Sequence, residues 1–94
     1  MSVTVTIRSV VQPDKVAAVK EFLQKALPDT RVREGSEGVT VHQNQDDPTS
    51  WLILTQWASR AHYEGYLAWR VEMGTLAEML VGEPTITYYD FVSA

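Results

Sequence analysis

Trp51–Trp57 reads WLILTQW, a run in which neighbouring side chains fall on opposite faces once the chain is extended. Trp51, Ile53 and Trp57 share one face, while Leu52 and Leu54 share the other. Both faces are apolar. In a chain of 94 residues, two helices can cover only one face of a small sheet. The second apolar face then needs other cover, and a second copy of the chain is the expected source.

Working outward from this strand, DDPTS (Asp46–Ser50) before it is a turn, built from residues that bond their own backbone or fix φ. VTVHQNQ, from Val39, alternates again and predicts a second strand, with His42 on the Thr40 and Asn44 face. The charged, Gly-containing stretch Arg31–Gly38 predicts a loop. Upstream, SVTVTIRSVV alternates from Val3, with Val3, Val5 and Ile7 opposed to Thr4, Thr6 and Arg8, and predicts the first strand. Pro13 and Asp14 suit a first helical turn. Val16, Val19, Leu23, Ala26 and Leu27 follow at helical spacing, so the pattern predicts a helix over Pro13–Leu27, ended by Pro28. Downstream, Ser59 is a good N-cap for a second helical segment, in which Gly65 and Gly74 weaken regular helix and predict a bend or a break near Gly74. TITYYDFV, from Thr85, predicts the last strand. The order β-α-β-β-α-β is that of a ferredoxin-like α+β sandwich with an antiparallel sheet, one domain over 1–94.

The totals restrict the chemistry. Eight Lys and Arg against twelve Asp and Glu give a net charge of −4, with the basic residues scattered, so nucleic acid is a poor partner. With no Cys, the chain has no disulfide, thiolate metal site or Cys nucleophile. Two His at unrelated spacing do not make a metal site either. No Gly-rich phosphate loop or nucleophile elbow is present, so no cofactor is expected. The first strand begins too early to leave room for a signal segment, and the apolar runs are short, so the expectation is a cytoplasmic protein without a membrane partner.

WASRAHYEGYLAWR, Trp57–Arg70, concentrates the aromatic residues. At helical spacing His62, Tyr66, Trp69, Met73, Leu76, Ala77 and Leu80 form a stripe expected to face the sheet. Tyr63, Leu67 and Arg70 form a neighbouring row at its edge, where polar tips can reach a cleft. Aromatic walls carrying a few polar tips suit a planar organic ligand.

This segment, with the EMGTL that follows it and the closing EPTITYY, resembles the antibiotic biosynthesis monooxygenase domain. The resemblance covers almost the whole chain and implies a homodimer, two ferredoxin-like sheets face to face in an α+β barrel. It also implies, as in quinone-forming members, a monooxygenase that oxidises a small aromatic or polycyclic phenol with O₂ and without metal, haem or flavin. Those members place an Asn four residues before the strand-ending Trp and a Tyr six after it. Trp57 and Tyr63 match, but the position of the amide holds Ile53. The haem-degrading pattern fits worse, since the first strand has no Asn and Leu67 stands where a helical His is expected. The candidate catalytic residues are His62 or Tyr63 for the proton and Arg70 for developing negative charge; Trp57, Ile53, Tyr66 and His42 are candidates to line the ligand site. The substitution at Ile53 keeps a second reading open, a non-catalytic dimeric small-molecule-binding or stress-response protein of the same fold. Proton transfer or isomerisation on the same scaffold is a third.

Overall fold

The computed structural model describes residues 2–74 and 76–94; Thr75, within the EMGTL run, lies outside them. The alternating segments become strands β1 (Val3–Val10), β2 (Ser36–Gln43), β3 (Ser50–Trp57) and β4 (Thr85–Asp90), and the helices are α1 (Val16–Arg31) and α2 (Arg60–Met73). The strands form one antiparallel sheet in the order β2-β3-β1-β4. This is the ferredoxin-like α+β arrangement the element order predicts.

Register places the apolar sets as the alternation requires. Val3, Val5 and Ile7 of β1 lie opposite Trp57, Thr55 and Ile53 of β3, and this face packs under the helices. Leu52 and Leu54 fall on the other face, opposite Arg8 and Thr6. That open face is apolar chiefly along β3, for Thr4 bonds Gln56 across it (2.8 Å) and Thr40 bonds His42 (2.9 Å).

Two buried clusters close the ends of the covered face. Val11, Val19, Leu23, Trp51 and Leu80 form one, under α1; Val3, Val5, Trp57 and Tyr63 form the other, under α2. The segment after α2 is stitched to the first cluster through the bridge of Val11 with Leu80, Val81 N–H donating to the Val10 carbonyl (2.7 Å) and Gln12 N–H donating to that of Met79 (2.9 Å).

Three sequence expectations are corrected. Pro28 does not end α1. Pro13–Lys15 form a 3-10 turn, and the helix then runs through Pro28 to Arg31. The missing N–H costs one helical bond, but Pro28 and Gln24 lie on the exposed side of the helix, where the loss is cheapest. The extra turn also buries Thr30, whose hydroxyl donates to the Ala26 carbonyl (3.2 Å). The stretch expected as a loop up to Gly38 instead begins β2 at Ser36, with an irregular register between Ser36 and Gly38.

The third correction concerns the buried stripe of α2. Tyr63 is 2% exposed and Met73 is 65% exposed; Tyr63 is the buried residue of α2, and half-buried Tyr66, Leu67 and Arg70 line the cavity with it, about one residue around the helix from the expected stripe. Gly74, at φ 115°, ends α2, and Leu76, Ala77 and Leu80 follow in a separate segment with its own 3-10 turn at Ala77–Met79. The break predicted near Gly74 is present, and the inward row is the one that carries Tyr63.

Candidate functional site: a cavity between the sheet and the helices

Between the two clusters, at the middle of the sheet, is a cavity of about 400 Å³. Its floor is Ile7 and Ser9 of β1, Ile53 and Thr55 of β3, Val39 and Ile86. Phe22, Leu23, Ala26, Leu27 and Thr30 of α1 form one wall, Tyr63, Tyr66, Leu67 and Arg70 of α2 another. Leu76, Leu80, Glu83 and Pro84 complete it from the segment before β4. The volume falls within the range of small-molecule sites, and the lining is mostly carbon with few polar tips.

Those tips have distinct environments. Thr30, 3% exposed, shares a 2.8 Å hydrogen bond with the Tyr66 hydroxyl, to which Arg70 Nε donates at 3.3 Å. The Arg70 guanidinium also lies 4.6 Å from the centre of the Trp69 ring, a cation–π distance. Tyr63 lines the cavity, and its hydroxyl has no hydrogen-bond partner among the described residues. Burial, reinforced by Tyr88 and Tyr66, raises the Tyr63 pKa well above the ordinary phenol range. Tyr63 is therefore a neutral O–H donor near neutral pH, unsuited to act as a phenolate base.

Of the residues singled out from the sequence, Ile53, Tyr63, Tyr66 and Arg70 come together on this cavity, while Trp57, His62 and His42 are not on its lining. Trp57 is 0% exposed in the cluster beside it, its indole N–H donating to Thr55 Oγ1 (3.0 Å), which in turn donates to the Val5 carbonyl (2.8 Å). It supports the site from behind. His62 belongs to the start of α2. Its backbone N–H donates to Ser59 Oγ (3.2 Å), its Nδ1 bonds the same oxygen (2.7 Å), and its ring fills the space a side chain at Gly35 would take. His42 lines a smaller recess of about 290 Å³ with Arg8, Asn44 and Leu52.

Thr30, Phe22 and Glu83 line the cavity without having been singled out in the sequence. The α1 stripe did contain Leu23, Ala26 and Leu27, but assigning α1 to the cavity wall requires knowing that the two helices do not close over the sheet centre. Among the described residues, no group of three or more His, Cys, Asp or Glu is placed to hold a metal ion, and no helix is long and apolar enough to cross a membrane.

A model of the antibiotic biosynthesis monooxygenase family matches residues 2–69. The chain belongs to that family. Solved structures agree in fold. A conserved protein from Methanosarcina mazei Go1 superposes with a TM-score of 0.84 at 21% identity, covering 95% of this chain and 91% of that one. A candidate antibiotic biosynthesis monooxygenase from Nitrosomonas europaea gives 0.83 at 21% identity, covering 97% and 90%. Another from Bordetella bronchiseptica gives 0.81 at 17% identity, covering 98% of each chain. At these identities the likeness is one of fold. No curated protein matches the chain. Against the pattern of the family's quinone-forming members, Trp57 backs the cavity, Tyr63 opens onto it, and Ile53 presents carbon where those members carry an amide.

Proposed function

We propose that this member of the antibiotic biosynthesis monooxygenase family binds a small aromatic or polycyclic phenol in the cavity between sheet and helices and oxidises it with O₂ to a quinone. The observation that carries the reading is the cavity itself, lined by carbon with the Tyr63 hydroxyl and the Arg70 guanidinium on one wall. The chemistry balances without another redox partner. A phenol with a C–H para to its hydroxyl loses the hydroxyl proton, and the anion passes one electron to O₂. The resulting radical and superoxide couple at the para carbon, and the hydroperoxide, once reprotonated, loses water to leave the second carbonyl. One oxygen atom enters the product and the other leaves as water.

The residues of this chain bind, orient and exclude water. Arg70 offsets the charge of the phenolate and then of the peroxide, and Tyr63 donates a hydrogen bond to the same oxygens. Glu83, an exposed carboxylate on the cavity lining, takes the proton role for which His62 is poorly placed. The active form is a homodimer, in which a second copy covers Leu52 and Leu54 on the open sheet face; Val10 and Tyr89, 49% and 53% exposed, add to the apolar surface of the isolated chain.

Purified protein incubated with anthrone and O₂ is expected to form anthraquinone, with the rate falling about a hundredfold in Arg70→Met. No turnover across a panel of phenols, together with no binding of any of them, defeats this reading. Ile53 favours a second one, a dimeric binding protein without chemistry, because the cavity lacks the amide of the quinone-forming pattern. Tyr63→Phe separates the two: an enzyme loses rate while keeping its ligand, whereas a binder changes in affinity alone. Sedimentation at micromolar concentration tests assembly, and Leu54→Asp is expected to yield monomers.

A further inference from the structure

Arg70 faces a cavity wall that is otherwise largely carbon, and among the described residues it forms no ion pair. Its Nη2 donates to the Ala26 carbonyl at 3.4 Å and to Thr30 Oγ1 at 3.5 Å, its Nε to the Tyr66 hydroxyl at 3.3 Å, and all three acceptors are neutral and near the long limit of a hydrogen bond. Among the described residues the ion pairs are Lys25 with Glu21 and Arg60 with Glu64, so Glu83, on the same cavity, is not in ion-pair contact with it. A second guanidinium, that of Arg33, lies 4.6 Å from the centre of the same Trp69 ring that Arg70 stacks on. Two positive charges thus converge on one indole, and of the two Arg70 reaches the cavity lining. A half-buried guanidinium without a counter-ion has lost part of its hydration and gained little in return, which leaves it strongly attractive to an anion that fits.

The hydrogen bonds also have a direction. Thr30 uses its only proton on the Ala26 carbonyl, so the Tyr66 hydroxyl is the donor in its bond to Thr30. The free lone pairs of Tyr66 are then turned toward Arg70 Nε. The chain runs one way, from Arg70 through Tyr66 and Thr30 to the backbone of α1, and it leaves Nη1 without a protein acceptor among the described residues.

We propose that the cavity selects an aromatic ligand carrying an anionic oxygen, a phenolate or an aryl carboxylate, bound at Arg70, and that Thr30 is the positioning residue that aims the guanidinium. This rests on the reading of the cavity as the ligand site. It also gives the continuation of α1 past Pro28 a purpose, since a helix stopped there would not carry Thr30 to Tyr66.

The test uses three probes of one shape on the whole protein: 2-naphthoate, neutral 2-naphthamide and 2-naphthol. Calorimetry is expected to show 2-naphthoate bound roughly tenfold or more tightly than 2-naphthamide, the worth of a charge-assisted hydrogen bond, or absorbance to show bound 2-naphthol ionising at lower pH than free 2-naphthol. The first result assigns a carboxylate ligand and the second a phenolate. Arg70→Met removes either preference. Thr30→Val is expected to weaken 2-naphthoate binding more than 2-naphthamide binding, and Thr30→Ser restores the preference. Equal binding of naphthoate and naphthamide with unshifted naphthol overturns the anion proposal and leaves the aromatic cavity standing. Binding of none of the three overturns both. Equal loss of naphthoate and naphthamide in Thr30→Val makes Thr30 structural and overturns its positioning role.

Discussion

The two ends of the covered sheet face are built from different materials. Under α2 the cluster is aromatic: Trp57 packs 5.1 Å from Tyr66 and edge-on to Tyr63 at 5.8 Å, and Tyr63 meets Tyr88 edge-on at 5.8 Å. Under α1 it is aliphatic apart from Trp51, with Val11, Val19, Leu23 and Leu80. Rings with few rotamers fix their neighbours, and here hydrogen bonds pin them further, Trp57 to Thr55 and Tyr66 to Thr30. Aliphatic side chains can lean and refill space. The rigid end holds the cavity wall in place, while the softer end sets how much room the cavity offers.

Truncation is the strongest way to break that contrast. Trp57→Ala should destabilise by about 4 kcal/mol, whereas Leu23→Ala, beside a space that already exists, should cost about 2 kcal/mol, both read by urea denaturation. Equal costs would show that the ends are equally rigid. At the aromatic end Gly35 holds φ 85° against the His62 ring, so Gly35→Ala meets both a left-handed backbone penalty of about 1–2 kcal/mol and a collision. Wild-type stability in that variant would mean that the start of α2 is not tied to this turn.

On the softer side, Pro28→Ala restores a helical donor and should stabilise α1 by about 1 kcal/mol, after allowing for the gain in unfolded-state freedom. A loss of stability there would assign Pro28 a part in placing Thr30. The smallest effect concerns pH. Because burial raises the Tyr63 pKa in the folded state, the folded chain holds that proton more tightly than the unfolded one. Its contribution is fully present below the ordinary phenol value of 10.0 and declines as pH rises past it. Urea midpoints measured from pH 9 upward should fall less steeply in Tyr63→Phe than in the wild type.

The same contrast separates what the sequence makes legible from what it does not. Strand alternation is a local property, so β1 and β3, their inward faces and the apolar second face of β3 could be read directly. The end of α1 could not, because a rule about one proline competes with the burial of Thr30 against a helix distant in sequence. The inward face of α2 was not legible either, because the His62 row and the Tyr63 row are both aromatic and only packing against Trp57 and Tyr88 selects Tyr63. At the site, Tyr63, Tyr66 and Arg70 were visible as an aromatic-rich helical edge. The contribution of α1 was not, since Phe22 and Leu23 look like ordinary core residues until the gap between the helices is known. Trp57 was the most conspicuous residue in the motif, and its burial places it behind the cavity.

One consequence follows from the bridge of Val11 with Leu80. β4 accompanies β1 only from Val3 to Arg8, which would leave the last residues of β1 with an uncovered edge, a ready template for a foreign strand. Met79 and Val81 occupy that edge by bonding Gln12 and Val10, and the Gln12 side-chain amide adds bonds to the Glu78 and Leu80 carbonyls (3.0 and 3.3 Å). The segment that walls the cavity on one side thereby denies intermolecular β-pairing on the other, so loosening it would raise the tendency of the protein to aggregate.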